Sequence, residues 1–204
     1  ILAIILGITT LIRPINGLIV FILPFVAGNF DSLKKGVTIM FRYQVWLLYS
    51  FCAFLAVMSI QLIIYKISTG NFLVYPYGKE GFNFFSSRII DILFSYKKGL
   101  FIYTPLLLVS MTGGYFLWKS SAYKFYSWLG FFFLITYVFS SWWMWYYGGS
   151  FSSRVYVEYI PLFMILLVIS LKGIKSKLFN GLYVLLITLL IIVCQIQTYQ
   201  YRYY

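Results

Sequence analysis

The chain has no histidine, only four acidic residues and two cysteines in 204 residues. Without histidine there is no Ser-His-Asp or Cys-His nucleophile system, no zinc–imidazole site and no His-ligated haem. Cys52 and Cys194 each lie inside an apolar run and form no CxxC pair. They read as small apolar packing residues, not as a disulfide framework or an iron–sulfur site. No cofactor is expected and no residue is assigned as a metal ligand, while the sequence leaves the need for a divalent metal open. Charge of either sign is scarce as well: 10% of residues are charged, against about 25% in a soluble domain. Too few charges remain to cover a soluble globule, and a hydrophobic content of 62% excludes disorder. The composition predicts an all-α, polytopic transmembrane helical bundle.

The net charge is +12. Most of the cations lie in short segments between apolar runs, where they act as topology signals and contacts to anionic lipid or phosphate. No nucleic-acid partner is expected, because no basic patch sits on a soluble fold. The chain begins at Ile1 inside an apolar run, with neither a charged n-region nor a small-residue cleavage site, so further residues are expected upstream.

A membrane helix needs about 20 apolar residues. On that measure spans are predicted at about 45–65, 99–118, 125–145 and 178–196, each flanked by Lys or Arg. A fifth, 156–171, has Glu158 near a membrane boundary and Pro161 in its first turn, where proline is tolerated. The stretches 1–12 and 15–28 are separated by Arg13-Pro14. One reading is a single broken helix with Arg13 at mid-membrane, where a charge marks a site. The other, preferred because the residue before proline disfavours helix, is two segments meeting near an interface. The segment 29–44 is read as a connector. The glycines Gly113-Gly114 permit close helix approach, and Trp118 and Trp128 are expected as interface anchors around 119–124. The Gln/Tyr-rich tail carries no assignable role.

Short loops on one side hold Lys34, Lys35, Arg42, Lys119, Lys124, Lys172, Lys175 and Lys177. The positive-inside rule places that side in the cytoplasm. The opposite side then carries a long loop, 67–98, and the aromatic block around 140–159. The loop opens with turn residues and is expected to continue as an amphipathic helix over 82–98 lying on the membrane. In it Arg88 and Asp91 are spaced to pair. In the block, three Trp and two Tyr precede Gly148-Gly149, Arg154 and Glu158. An aromatic belt explains the tryptophans. It does not explain the glycine pair, which permits tight turning, or the arginine, whose planar fork suits phosphate.

These segments resemble a known family. Leu11-Ile12-Arg13-Pro14 resembles its "LTRP" element. Gly70 to Val74 followed by Tyr77-Gly78 and Gly81 to Phe84 looks like its long outer loop. Leu93-Phe94-Ser95 through Gly99-Leu100-Phe101 and Tyr103-Thr104-Pro105-Leu106 resembles its "LFSxxxGLFxxTPL" run. Trp142-Trp143 through Tyr147-Gly148-Gly149-Ser150-Phe151 and Ser153-Arg154 resembles its "WWxWWYGGSFGSR" block, with Ser152 in place of glycine and Met144 inside the Trp cluster. The elements follow the family order over most of the chain. The family is that of GT-C class, polyprenyl-phosphate-sugar-dependent glycosyltransferases, in particular bacterial protein-mannosyltransferase-like members of glycosyltransferase family 39.

The resemblance implies transfer of a sugar from a polyprenyl-phosphate donor to an acceptor at the extracytoplasmic face of a bacterial cytoplasmic membrane. The family's catalytic carboxylate lies in a first outer loop that no segment of this chain matches, so the chain is expected to be a C-terminal part. It would supply the leaving-group side, where fixed cations stabilise phosphate charge. Arg13, Arg88, Lys98 and Arg154 are the candidates, with Glu158 orienting Arg154, and Tyr77, Glu80 and Tyr147 for sugar hydroxyls. Expected partners are the polyprenyl-linked sugar, membrane lipids, an acceptor of undetermined class, and a missing N-terminal segment or partner subunits. The alternatives are a non-catalytic membrane subunit and a transporter. The four strongest spans contain no ionisable group, whereas transporters usually carry them.

Overall fold

The computed structural model describes all residues except Pro76, Tyr77, Lys79 and Tyr204. The regular secondary structure of the described residues is helical, apart from one isolated bridge between Phe82 and Trp142. They divide into two compact units, Ile1–Glu80 and Gly81–Tyr204. Among the described residues, three helices are long and apolar enough to cross a membrane: Gln44–Thr69, Arg154–Gly173 and Lys177–Tyr203.

The first unit contains α1 (Leu2–Ile12), α2 (Leu23–Ala27), α3 (Phe30–Arg42) and α4 (Gln44–Thr69). Helix α1 stops at Arg13, which is extended, and Pro14 opens a 3₁₀ stretch to Ile22. The break falls at Arg13-Pro14, because proline cannot donate an amide and its ring clashes with a helical predecessor. Helix α1 lies along α4 and passes close to it at Gly7, where a Cβ would stand 2.9 Å from the Cβ of Val57.

The segment 29–44, read from sequence as a connector, is instead helix α3. The Asn29 side chain caps it, accepting from the Ser32 amide at 2.7 Å, with Asp31 in the first turn and Arg42 in the last. Phe30, Leu33, Val37 and Met40 fall on one face and Asp31, Lys34, Lys35 and Thr38 on the other. This amphipathic pattern is the signal that counting uncharged residues overlooks.

The second unit contains α5 (Ile89–Phe94), α6 (Leu100–Tyr103), α7 (Pro105–Ser110), α8 (Thr112–Ser120), α9 (Ala122–Ser140), α10 (Ile160–Gly173) and α11 (Lys177–Tyr203). The run 99–118 is not one continuous helix. It breaks at Thr104-Pro105, for the same reason as at Arg13-Pro14, and again at Met111, whose amide turns back to Leu108. The second break is bracketed by hydroxyls. Thr112 donates to the Val109 carbonyl at 2.8 Å and lies 2.9 Å from both Ser170 and Tyr183.

Helices α8 and α10 approach so closely that a Cβ on Gly113 would meet the Leu166 carbonyl oxygen at 1.9 Å. Beside them is an aromatic core. Trp128 stacks on Phe132, and Phe163 stands edge-on to both. Trp128 is not an interface anchor. It is 2% exposed and donates to the Leu162 carbonyl, since a buried indole N–H needs an acceptor. Pro161 occupies the first turn of α10 as expected, and the Gln/Tyr tail continues α11 to Tyr203.

Candidate functional site

The site lies at the end of the second unit where α9 stops. Ser140 and Ser141 both donate side-chain hydrogen bonds to the Tyr137 carbonyl, at 3.0 and 2.6 Å. Such local serine bonds compete with the helix ladder, so α9 ends at Ser140 and the predicted span 125–145 is cut short. The freed carbonyls are taken by residues 81–88. The Asn83 amide donates to Ser141 and the Arg88 amide to Ser140. The Trp143 amide donates back to Gly81, and the Phe82 ring packs edge-on to Trp142.

This lashing overturns the expected continuous amphipathic helix over 82–98. Amides committed to α9 are unavailable to i−4 carbonyls, so only Phe84–Ser86 and Ile89–Phe94 are helical. Its predicted ion pair is present: Arg88 Nη1 lies 3.6 Å from Asp91 Oδ2, both well exposed.

The chain from Trp142 to Ser153 has no helix. Three of its residues are left-handed: Tyr147 at φ 52°, Gly148 at 71° and Ser152 at 54°. Gly148 takes this conformation freely, but Tyr147 and Ser152 carry a Cβ penalty, and such strain persists where surrounding contacts hold it. The contacts are visible. The Tyr147 hydroxyl donates to the Phe139 carbonyl at 2.9 Å, and Thr104 and Ser152 share a hydroxyl hydrogen bond at 3.3 Å. The proline break that ends α6 therefore also aims Thr104 at the loop. Phe151 packs edge-on to Tyr103 and also meets Tyr201 of the α11 tail, which gives that tail a packing role sequence did not reveal.

Lys98 is the hub. Its Nζ donates to the Gly148 carbonyl and to the Ser150 hydroxyl, the latter at 3.2 Å. An ammonium has three donors, so one remains. Partial burial, then the neighbouring Arg154 and Lys97 charges, hold the Lys98 ammonium below the ordinary lysine pKa. Lys97 turns the other way, its Nζ 3.3 Å from the centre of the Tyr146 ring, a cation–π contact. Arg154 is exposed and opens a 3₁₀ turn to Tyr159. At 3.0 residues per turn, residues four apart lie roughly 120° apart around the axis. In an α-helix, at 3.6 residues per turn, the same spacing is about 40°. Beside Arg154, the Ser153 hydroxyl is buried and has no hydrogen-bond partner among the described residues.

Of the residues singled out from sequence, Lys98, Tyr147 and Arg154 come together around this loop. Arg88 lies on the adjoining 81–94 segment with its charge engaged by Asp91, and Glu158 is exposed at the far end of the 3₁₀ turn. Arg13 and Glu80 belong to the first unit, and Tyr77 lies outside the described residues. Sequence reasoning missed Lys97, Thr104, Ser150, Ser152 and Ser153. The serine-rich run 150–153 and the Thr-Pro break were the available signals. Chemically, the arrangement gathers cations and hydroxyl groups on a strained loop with few carboxylates, which suits an anion. Compared with known proteins, the chain matches no family model, no curated protein and no solved structure.

Proposed function

We propose that this chain is part of a multi-pass membrane glycosyltransferase that moves a sugar from a polyprenyl-phosphate donor to an acceptor at the extracytoplasmic face of a bacterial cytoplasmic membrane. The observation that carries this reading is the convergence of Lys98 and Arg154 on the Gly148–Ser152 loop. Partial burial and, after it, the Arg154 and Lys97 charges hold the Lys98 pKa down, and a bound anion beside the ammonium offsets them. The motif resemblance supplies the class of anion, a lipid-linked sugar phosphate. As the glycosyl–phosphate bond breaks, the electron pair stays with the phosphate oxygen. The free N–H of Lys98 and the fork of Arg154 stabilise that growing charge. The hydroxyls of Ser150 and Ser152 hold the loop in register for it. In this reading the ends of the unit bearing 81–98 and 141–154 face outward and the short lysine connectors face the cytoplasm.

Kinetics on the complete enzyme tests the reading. Arg154→Ala is expected to lose roughly 2.7–4 kcal/mol of transition-state stabilisation, the scale of one lost oxyanion donor, and Arg154→Lys to recover part of it, because a point charge replaces a fork. Normal turnover in folded Arg154→Ala protein removes Arg154 from the site.

A non-catalytic, lipid-phosphate-binding subunit is the second reading. It is favoured by the carboxylates of this unit: Asp91 is engaged by Arg88, and Glu158 is exposed at the far end of the 3₁₀ turn. Binding of polyprenyl phosphate that is abolished in Lys98→Gln, with no transfer activity in the complete complex dependent on it, identifies that case.

A further inference from the structure

The opposite end of the second unit carries a different arrangement. Helices α8 and α10 run in the same direction, because Gly113 faces Leu166 and Gly173 faces Phe116. Their ends, and the connectors 119–124 and 172–177 that follow, therefore lie together. These connectors bring Lys119, Lys124, Lys172, Lys175 and Lys177 to one end of the unit, and neither contains an acid. The unit's own acids, Asp91 and Glu158, belong to the other end.

An apolar groove of about 570 Å³ opens at this end, within the range of 300–1,000 Å³ typical of ligand sites. Lys175 and Ser176 stand at its mouth. Phe116 forms one wall, and Phe179, Tyr183 and Leu186 line it from α11. Their spacing of four and three residues places them on one helix face. From Ser176 to Leu186 that face runs about 15 Å at 1.5 Å per residue, half of a hydrocarbon core of about 30 Å. The apolar face thus runs the length of one leaflet along the helix, with Lys175 at its connector end.

The geometry points to an anionic phospholipid as its occupant. One acyl chain lies along Phe116 and the Phe179–Leu186 face, and the headgroup phosphate sits on Lys175, with Lys172 and Lys177 beside it. Charge complementarity selects this occupant over a neutral lipid. The connector at the mouth, 172–177, carries three lysines and no acid, and each Lys near an anionic headgroup adds about 1 kcal/mol, about fivefold in affinity. The first backbone amides of α11, which lack intrahelical acceptors, add donors at the same place. This site is independent of the Lys98–Arg154 cluster at the other end.

The test is lipid binding to the full chain in neutral detergent, read by native mass spectrometry. Phosphatidylglycerol is compared with phosphatidylcholine of the same acyl chains, with inorganic phosphate as a third probe. Phosphatidylglycerol is expected to bind about a hundredfold more tightly than phosphatidylcholine. The variant Lys172→Gln/Lys175→Gln/Lys177→Gln is expected to bring the two within a few-fold of each other. Leu182→Trp, which fills the groove without touching a charge, is expected to weaken phosphatidylglycerol at least tenfold while circular dichroism shows the helices intact. Equal binding of the two lipids by the wild type overturns the proposal, and that comparison needs no variant to fold. Inorganic phosphate competing as well as phosphatidylglycerol also overturns it, because the mouth alone then carries recognition. Leu182→Trp binding phosphatidylglycerol normally does the same, since the groove is then not occupied by the chain.

Discussion

Replacing Gly113 by alanine adds one methyl group where α8 crosses α10. The new Cβ would stand 1.9 Å from the Leu166 carbonyl oxygen, 2.5 Å from its carbon and 2.9 Å from its Cα. All three atoms are backbone in a regular helix, so no side chain can swing aside. Relief requires the helices to separate by more than 1 Å locally to reach even a 3.0 Å contact. That separation loosens Leu117, Leu166 and Ser170, all nearly fully buried, and stretches the 2.9 Å Thr112–Ser170 hydrogen bond. Overpacking of this kind costs about 1–3 kcal/mol, and a lost hydrogen bond about 0.5–1.5 kcal/mol more. The helix propensity of alanine returns roughly 0.5–1 kcal/mol. The net expectation is a destabilisation of about 0.5–4 kcal/mol. Gly130, on α9, has nothing within 4 Å of where its Cβ would be, so Gly130→Ala is expected to stabilise by roughly 0.5–1 kcal/mol. Denaturant titration in mixed micelles, followed by far-UV circular dichroism, measures both. If Gly113→Ala is as stable as wild type, or moves in the same direction as Gly130→Ala, the close α8–α10 approach is refuted.

Other outcomes follow from the site and core. The Lys98 pKa is lowered in the folded protein, so between that lowered value and the unfolded value the unfolded chain binds more protons, and stability rises with pH. Subtracting the stability–pH curve of Lys98→Met from that of wild type is expected to leave a rise confined to this alkaline window; a flat difference contradicts it. Tyr156 is 1% exposed and donates to the Thr136 hydroxyl at 3.0 Å, so Tyr156→Phe is expected to cost about 1–3 kcal/mol by leaving a buried hydroxyl unpaired, measured by the same titration. A membrane-impermeant thiol reagent applied to intact cells is expected to label Ser87→Cys and Ser150→Cys but not Lys175→Cys; the reverse pattern inverts the proposed orientation.

The sequence by itself determined the helical class, the low charge that demands an apolar environment, and where apolar runs begin and end. These follow from composition and from local chain chemistry, which act residue by residue. It also marked Arg13-Pro14 as a break and Gly113 as a close-approach position, because proline lacks an amide and glycine lacks a Cβ wherever they occur. Tertiary structure alone decided the rest. The segment 82–98 had helical spacing, yet amides of Asn83 and Arg88 bond to Ser141 and Ser140 instead of to their own helix. Trp128 had the position of an interface anchor, yet a partner carbonyl on Leu162 draws it into the core. Lys98 was one cation among sixteen in the sequence. It becomes the hub of the site because a loop fifty residues away turns left-handed at Gly148 and presents its carbonyl and the Ser150 hydroxyl to it. Contacts at such separations depend on how helices pack, and no local pattern encodes them.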